Sequence, residues 1–212
     1  MRTDDLIAQL SSGLEPVKSG AVARLLLGAT MMGMAGSAVL LMVLIGPRHD
    51  LASAMSHPGM WMKLAYTFAI AGFGLWLVER AGRPGAEMAR PALFLALPLL
   101  AIVLLAGLQM STPGADMPGL VMGRSSRVCA ALVTLTALPT LAATFWALRK
   151  LAPTRLTLAG AGAGLFAGAA GAFVYCFHCT EEAAPFIAVW YSLGIALVTA
   201  LGALLGRTLL RW

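Results

Sequence analysis

Three cysteines are the residues of this chain best suited to chemistry, and two of them form a Cys-x-x-Cys pair. Cys176 and Cys179 enclose a phenylalanine and His178, while Cys129 stands well before them, shortly after two arginines. Thiols grouped in this way can form a disulfide, supply a reactive thiolate, or bind a soft metal ion together with a histidine. Which of these reactions is available depends on where the rest of the chain places the three side chains.

Six long apolar stretches determine that placement, at about 25–45, 60–78, 91–110, 128–148, 156–177 and 183–206. Each has about the 20 helical residues that a bilayer core requires, and their continuous rather than alternating apolarity argues against a β-barrel. The composition agrees, because 59% hydrophobic and 11% charged residues exclude an ordinary soluble domain. The sequence therefore predicts an all-α, polytopic membrane protein with six transmembrane helices, composed of a tail (1–24) and a six-helix bundle (25–212).

The distribution of lysine and arginine predicts the orientation of the bundle. Eleven of these residues fall on the side of the N-terminal tail and four on the other side. Cytoplasmic loops carry the excess of positive charge, so both termini are expected in the cytoplasm. All three cysteines then lie at or near the opposite, extracytoplasmic face. Because topology accounts for the basic loops, the lipid bilayer is an expected partner and direct nucleic-acid binding is not.

On an oxidising extracytoplasmic face the thiols can pair as a disulfide. Cys176 and Cys179 end the fifth helix, where the helix dipole disfavours a thiolate, whereas Cys129 begins the fourth helix beside two arginines and is the better thiolate candidate. Cys129 and Cys179 lie at similar depth, so they could form a disulfide or, with His178 or His57, a soft-metal site. A structural role as small bundle residues is the simpler alternative, and the pairing among the three cysteines stays open.

The polar residues near the helix ends are expected to serve structure. Lys63 and Gln109 lie near such ends, where long side chains reach the interface. Thr180 is expected to cap the sixth helix. Glu181 and Glu182, which follow it, are expected to place negative charge in the first turn of that helix rather than bind metal. No ionisable residue lies at mid-depth in any of the apolar stretches. Charges at that depth mark ion and substrate pathways, so a coupled transporter is disfavoured.

Glycines at four-residue spacing predict close helix packing in the fifth and sixth stretches. They are Gly160, Gly164 and Gly168 in the fifth and Gly202 and Gly206 in the sixth. Small residues at this period let two helix backbones approach one another. Packing within the bundle is the favoured interpretation, and a homo-oligomer that uses the same surface is the alternative.

The N-terminal tail is the second informative segment. Thr3 can cap a short helix whose first turn holds Asp4 and Asp5. Four apolar residues then fall on one face of this helix: Leu6, Ile7, Leu10 and Leu14. An interfacial membrane helix would carry basic residues beside that face, because the inner leaflet is anionic. An apolar stripe with an acidic edge instead suits a groove on a basic protein partner, and a merely solvated helix is the alternative.

Five segments of the chain together resemble a known family. They are Thr3-Asp4-Asp5-Leu6-Ile7, Ala152-Pro153-Thr154-Arg155, His178-Cys179-Thr180-Glu181, Val189-Trp190-Tyr191 and the ending Gly206-Arg207-Thr208-Leu209-Leu210-Arg211-Trp212. They look like the NrsF family, negative regulators of sigma-F, which are six-helix anti-sigma factors of the bacterial inner membrane. The resemblance implies that the tail, with Asp4 and Asp5, holds an extracytoplasmic-function sigma factor at the membrane. It also implies that cysteines matching Cys129 and Cys179 sense heavy metal or oxidative stress, whereas Cys176 looks like an addition to the family pattern.

The sequence thus leads to the hypothesis of an inner-membrane anti-sigma factor that is not an enzyme and needs no cofactor. The tail would sequester the sigma factor, and a thiol, metal or oxidative signal at the periplasmic cysteines would release it. A membrane thiol oxidoreductase that uses Cys176 and Cys179 is one alternative, and a small metal or solute transporter is another. The position of these two cysteines at a helix C-terminus counts against the first, and the absence of mid-depth charge counts against the second.

Overall fold

The structure is a computed structural model that describes residues 2–12, 20–83 and 85–211, all of it helices and connecting loops. A short tail helix, Thr3–Ser11, precedes six long helices. In chain order the long helices are Ala21–Ile45, Pro58–Ala81, Ala89–Met110, Met117–Arg149, Leu156–Tyr175 and Ala184–Leu209. Each is long and apolar enough to cross a membrane, which confirms the all-α class and the six predicted helices. A one-turn helix, Leu51–Ala54, lies between the first and second long helices.

Two of the long helices are broken near their starts. The third consists of Ala89–Phe94 and Ala96–Met110, and the break falls at Leu95 because Pro98 has no N–H to donate to the carbonyl three to four residues earlier. The fourth begins as Met117–Met122 and resumes as Ser126–Arg149. Pro139 lies inside this second segment without ending it. Of these two prolines within long helices, only Pro98 therefore accompanies a break.

The fifth long helix forms the centre of the bundle and packs against the second, fourth and sixth. Its contact with the sixth helix is made of glycines, as predicted. A Cβ added to Gly202 would lie 2.8 Å from the Gly164 Cα, and a Cβ added to Gly164 would lie 2.7 Å from the Thr199 Cα. Backbones this close leave no room for a side chain, so the small-residue pattern serves packing within the bundle.

The side chains that cover the bundle are largely apolar, above all along the third long helix. Leu104 and Leu108 in that helix are 67% and 69% exposed. Many leucines and methionines of the first long helix are exposed to a similar degree. A contiguous apolar surface of this size indicates contact with another apolar medium. The outer surface therefore suits a lipid environment better than water.

The two ends of the bundle differ in chemistry. One end, here called the thiol end, holds Cys129, Cys176 and Cys179 and the loop of residues 176–183, here called the thiol loop. The opposite end, here called the basic end, holds a group of exposed or half-exposed arginines and lysines: Arg80, Arg83, Arg149, Lys150, Arg155 and Arg207. The first long helix enters at the basic end, because Val22 and Leu25 pack with Leu148 and Leu151. The first long helix, which follows the tail in the chain, therefore starts at the end of the bundle remote from the cysteines.

Candidate thiol site

All three cysteines are buried at the thiol end, and each is a free thiol. The first turn of Ser126–Arg149 presents Cys129, and the chain leaving the fifth helix presents Cys179 three residues after Cys176. Cys129 and Cys179 belong to one buried cluster, and the Cys179 sulfur lies 4.0 Å from the hydroxyl of Ser125, which immediately precedes the helix segment that carries Cys129. The sequence-based expectation that these two meet across two helix ends therefore matches the geometry. Two adjacent thiols of this kind can be oxidised to a disulfide or bridged by one soft cation.

Cys176 occupies a separate environment. Its sulfur lies 3.3 Å from the Ala172 carbonyl oxygen, one turn back in the same helix, and 3.9 Å from the Thr67 hydroxyl of the second helix. It is completely buried. These contacts tie Cys176 to helix packing, although it belongs to the same buried cluster as Cys129 and Cys179.

Cys179 is the member of the adjacent pair whose charged form is better stabilised. The neighbouring Cys129 thiol is the largest cause that lowers the pKa of Cys179 below its usual value, and the Glu181 backbone N–H adds to it against the opposing effect of burial. The sequence favoured Cys129 as the thiolate because it begins a helix. That preference stays a prediction from the sequence.

Arg48, from the loop between the first two long helices, clamps the thiol loop. Its guanidinium donates two hydrogen bonds of 2.7 Å to the Asp50 carboxylate and one of 3.0 Å to Glu182. Its backbone N–H donates to the Phe177 carbonyl at 2.9 Å. The bond to Arg48 holds the pKa of Asp50 at about 2, and Asp50 in turn raises the pKa of Arg48. The clamp joins the loop between the first two long helices to the thiol loop in one polar layer.

Lys63 is the main departure from the sequence-based expectations. It was expected to reach an interface, but its side chain is completely buried under the thiol loop. The ammonium donates to the Cys179 carbonyl at 2.6 Å and to the Glu181 carbonyl at 3.3 Å. The loop folds over the end of the second helix, so the lysine meets backbone oxygens before it can reach water. Gln109 is also engaged, because its side-chain oxygen accepts a hydrogen bond of 2.8 Å from the Ala184 N–H at the start of the sixth helix.

The two glutamates of the thiol loop bridge loops instead of charging a helix start. Glu181 accepts a hydrogen bond of 2.7 Å from the Arg124 backbone N–H, and Glu182 pairs with Arg48. The sixth helix begins later, at Ala184, with Ala183 as its N-cap and no side-chain cap bond. The expected roles of Thr180 as a cap and of the two glutamates as its charged first turn are therefore wrong. The glutamates act instead on the loops that surround the cysteines.

The geometry gives no support to a metal centre with three protein ligands. Among the residues that the structure describes, no group of three His, Cys, Asp or Glu side chains could hold a metal ion. His178, expected as a ligand beside Cys129 and Cys179, places its Nδ1 2.7 Å from the Gly46 carbonyl oxygen and so helps to hold the loop. A metal ion at this end would have the two adjacent thiols as its principal donors, and the three-residue site stays a prediction from the sequence.

The tail forms the helix that its sequence predicts, but the residue at the N-cap differs from the prediction. The helix Thr3–Ser11 has Arg2 as its N-cap and no side-chain cap bond, so Thr3 is its first residue and not its cap. Asp4 and Asp5 lie in its first turn. The apolar residues Leu6, Ile7 and Leu10 are 41%, 59% and 68% exposed, and no residue of the helix is buried. Residues 13–19 of the predicted tail, among them Leu14 of the predicted apolar face, lie outside the described part of the chain.

Three residues of the thiol end were missed by reasoning from the sequence: Arg48, Lys63 as a buried group, and Tyr191. Tyr191 lies on a wide π-helical turn, Ile187–Tyr191, that begins one turn into the sixth helix. Such turns occur frequently at functional sites, but no pattern in the sequence of this segment predicts one. The importance of Lys63 could have been predicted, because an ionisable residue within an apolar helical stretch is a functional candidate by default.

Comparison with known proteins places this helical architecture in a class of regulators. Residues 10–212 match the family described as negative regulator of sigma F, NrsF, and the chain belongs to that family. The match begins at Leu10, so Asp4, Asp5, Leu6 and Ile7 precede it. No solved structure gives a significant match.

Two curated relatives resemble the chain over its full length. A probable anti-sigma-F factor NrsF of Azospira oryzae is 38% identical over 213 residues, and the alignment covers 100% of both chains. The anti-sigma-F factor NrsF of Caulobacter vibrioides is 38% identical over 221 residues, again with 100% of both chains covered. Both are named as regulatory proteins and not as enzymes.

Proposed function

We propose that this chain is an anti-sigma factor of the bacterial inner membrane that holds a sigma factor through its tail helix and releases it when the thiol pair reacts. The observation that carries the proposal is the tail helix itself. Its apolar residues Leu6, Ile7 and Leu10 are exposed beside Asp4 and Asp5. A helix with an unpartnered apolar stripe and an acidic edge has the chemistry to enter a basic groove on another protein.

Membership of the family and the two full-length relatives support a sigma factor as the occupant of that helix. The extracytoplasmic-function class is the type of sigma factor that the resemblance to the NrsF family implies. In the orientation that the positive residues favour, both termini are cytoplasmic, so the tail meets the sigma factor and the thiol end faces the periplasm. The bound sigma factor would then be unavailable to RNA polymerase without any covalent step at the tail.

The input end is the adjacent pair Cys129 and Cys179. A two-electron oxidant such as a peroxide would take two electrons and two protons from the pair, forming one S–S bond and releasing water. A thiophilic cation such as Cd²⁺ would instead displace the two thiol protons and bind both sulfurs. Either reaction draws the start of the fourth helix and the thiol loop together. Cys176, which is held by its own helix, takes no part in this proposal.

The proposed signal crosses the bundle by way of the central helix. The thiol loop continues directly from the fifth long helix, which packs against the sixth through glycines that leave little freedom for sliding. A shift at residue 179 would therefore be transmitted as movement of packed helices toward the basic end, where the tail begins. The two states of the bundle thus differ in whether the thiol pair has reacted. The proposed result of that difference is whether the tail helix is available to bind the sigma factor.

The thiol oxidoreductase and the transporter receive no support from the geometry. The adjacent thiols are Cys129, in the fourth long helix, and Cys179, in the thiol loop, and not the two members of the Cys-x-x-Cys motif on which an oxidoreductase would rely. Lys63 and Arg48, the buried charged residues of the described part of the chain, both bond to the thiol loop at one end of the bundle instead of lining a path through its middle.

Reversal of both tail charges tests the output end. Asp4→Lys with Asp5→Lys replaces attraction to a basic groove by repulsion, and like-charge contacts in an interface cost several kcal/mol. Binding of the sigma factor to the full-length protein in nanodiscs should fall at least ~100-fold. In cells, the genes that the sigma factor serves should be expressed constitutively although the membrane protein accumulates normally.

Glu87→Lys supplies the matched control, because Glu87 is exposed at the basic end but outside the tail. It should bind the sigma factor with unchanged affinity. Full repression by the double tail variant at normal abundance would show that another surface holds the sigma factor, and the proposal would fail.

A further inference from the structure

An apolar cleft opens at the basic end, between the start of the third long helix and the fifth long helix. Its volume is about 610 Å³, within the range of ordinary ligand pockets. Leu77 of the second helix, Ala92 of the third and Leu158 of the fifth line it. Ala92 is exposed and Leu158 is 48% exposed, so the cleft opens onto the outer surface of the bundle.

The mouth of this cleft is basic. Arg80, Arg83 and Arg155 line a smaller pocket of about 200 Å³, and this pocket shares Met88 and Arg155 with the wall of the apolar cleft. Arg83 pairs with Glu79. In the part of the chain that the structure describes, neither Arg80 nor Arg155 forms an ion pair. Two guanidinium groups are therefore available to an anion, and phosphate is the anion that they bind best, through paired hydrogen bonds.

The turn that presents Arg155 adds a second, independent observation. Ala152 has a φ of 57°, and it is the one non-glycine residue with a positive φ among those that the structure describes. L-residues rarely adopt this conformation, and such residues persist mainly at functional sites. The segment 152–155 also contributes to the family resemblance, and the proposed binding of a sigma factor makes no use of it. A binding role for the mouth of the cleft accounts for this turn.

The cleft continues from the basic end toward the middle of the bundle. Leu165 and Thr199 line it and also line a second apolar cavity of about 490 Å³, which reaches Tyr66 and Ser192. The oxygens of the Tyr66 and Ser192 hydroxyls lie 2.5 Å apart, so these two groups satisfy one another. From Arg80 back to Tyr66 the second helix rises about 21 Å. The hydrocarbon of one leaflet is roughly 15 Å deep, so the cleft can hold an acyl chain over that whole depth.

We propose that this cleft binds an anionic phospholipid, with the phosphate at Arg80 and Arg155 and one acyl chain along the apolar wall. A free phosphate would occupy only the mouth and an uncharged lipid only the cleft, whereas an anionic phospholipid matches both. The exposed Glu87 on the cleft wall offsets one positive charge, and the mouth keeps a positive excess. The inference rests on the proposed membrane location and orientation, in which the basic end meets the anionic cytoplasmic leaflet.

Two lipids with the same acyl chains test the headgroup preference. Native mass spectrometry of the full chain, released from a neutral detergent, measures its affinity for dioleoyl phosphatidylglycerol and for the zwitterionic dioleoyl phosphatidylcholine. The parent should bind one phosphatidylglycerol at least about tenfold more tightly, because each arginine near a headgroup favours an anionic lipid by about fivefold. Arg80→Gln with Arg155→Gln should reduce this preference to about twofold or less.

The matched control removes the same charge from the basic end outside the cleft. Arg149→Gln with Lys150→Gln alters two exposed cations that do not line either pocket, and the preference should stay at about tenfold or more. Ala161→Phe, which places a ring in the cleft, should weaken the binding of both lipids and leave their ratio unchanged. Inorganic phosphate in excess should not displace phosphatidylglycerol, since it lacks the acyl chain.

Three results would overturn the inference. Equal affinity of the parent for the two lipids would leave the mouth to an acidic protein segment, and displacement by phosphate alone would assign it to a soluble anion. An equal loss of preference in the control would show attraction to the basic end as a whole. The parent decides the matter alone if the variant with both cleft arginines replaced fails to accumulate. Because no sigma factor takes part, this outcome is independent of whether the tail helix binds one.

Discussion

Gly164→Ala should destabilise the bundle although alanine is the better helix former. Its new Cβ would lie 2.7 Å from the Thr199 Cα and would also meet the Val198 carbonyl oxygen, whereas ordinary contact begins at 3.4 Å. The obstructing atoms are backbone, so the fifth and sixth helices must separate over their whole contact. Overpacking of this kind costs about 1–3 kcal/mol, and the gain in helix propensity returns at most ~1 kcal/mol. We expect a net loss of about 1–2 kcal/mol.

Gly107→Ala is the matched control for this substitution. Gly107 lies in the third long helix, and a Cβ there meets nothing within 4 Å. It should be neutral or stabilising by up to ~1 kcal/mol. The free energy of unfolding is measured for both variants in mixed micelles of a mild detergent and dodecyl sulfate, with tryptophan fluorescence as the signal. Equal stability of the two variants would refute the close backbone contact between the fifth and sixth helices.

Two further predictions concern the orientation of the bundle and the Arg48 clamp. Reporter fusions at the C-terminal end and near Asp116 should report opposite compartments, and the same compartment for both would remove the basis for placing the cysteines outside the cytoplasm. The folded-state pKa of Asp50 is about 2, below the ordinary value near 3.8, so its stabilising effect is complete above about pH 4 and is lost as the pH falls through about 2. The unfolding free energy of the parent should therefore drop over that range, and Asp50→Asn should lack that part of the drop.

The helical architecture was predictable because the signals for it are long and repeated. Six continuous apolar stretches predicted six helices. The spacing of glycines such as Gly160, Gly164 and Gly202 predicted close packing of the fifth and sixth helices within the bundle. Apolar length and small-residue period are properties of single segments, so they need no knowledge of the tertiary fold. The boundaries shifted by a few residues, most at the fourth helix, whose first segment Met117–Met122 lay outside the predicted stretch.

The polar layer of the thiol end could not be predicted in the same way. Lys63, Arg48 and Glu182 lie far apart in the chain, and each found its partner only when the thiol loop folded over the end of the second helix. Rules for isolated helix ends assigned Lys63 to an interface and Glu182 to a helix start. Both assignments failed because the two side chains bond to groups in nearby loops. Lys63 donates to the Cys179 carbonyl instead of water, and Glu182 pairs with Arg48 instead of lying in the first turn of a helix. The adjacency of Cys129 and Cys179 was accessible because both lie at the ends of predicted helices, on the same side.

The central claim is that the state of the thiol pair controls the hold of the tail on a sigma factor. The most direct test measures the affinity of the full-length protein in nanodiscs for the sigma factor, first with reduced thiols and then after oxidation by a peroxide, in a Cys176→Ser background. We expect oxidation to weaken binding at least about tenfold, a change of about 1.4 kcal/mol. Cys129→Ser and Cys179→Ser should bind like the reduced parent and show no response to the oxidant. Equal affinity of the reduced and oxidised proteins, with a disulfide between Cys129 and Cys179 demonstrated in the sample, would contradict the account.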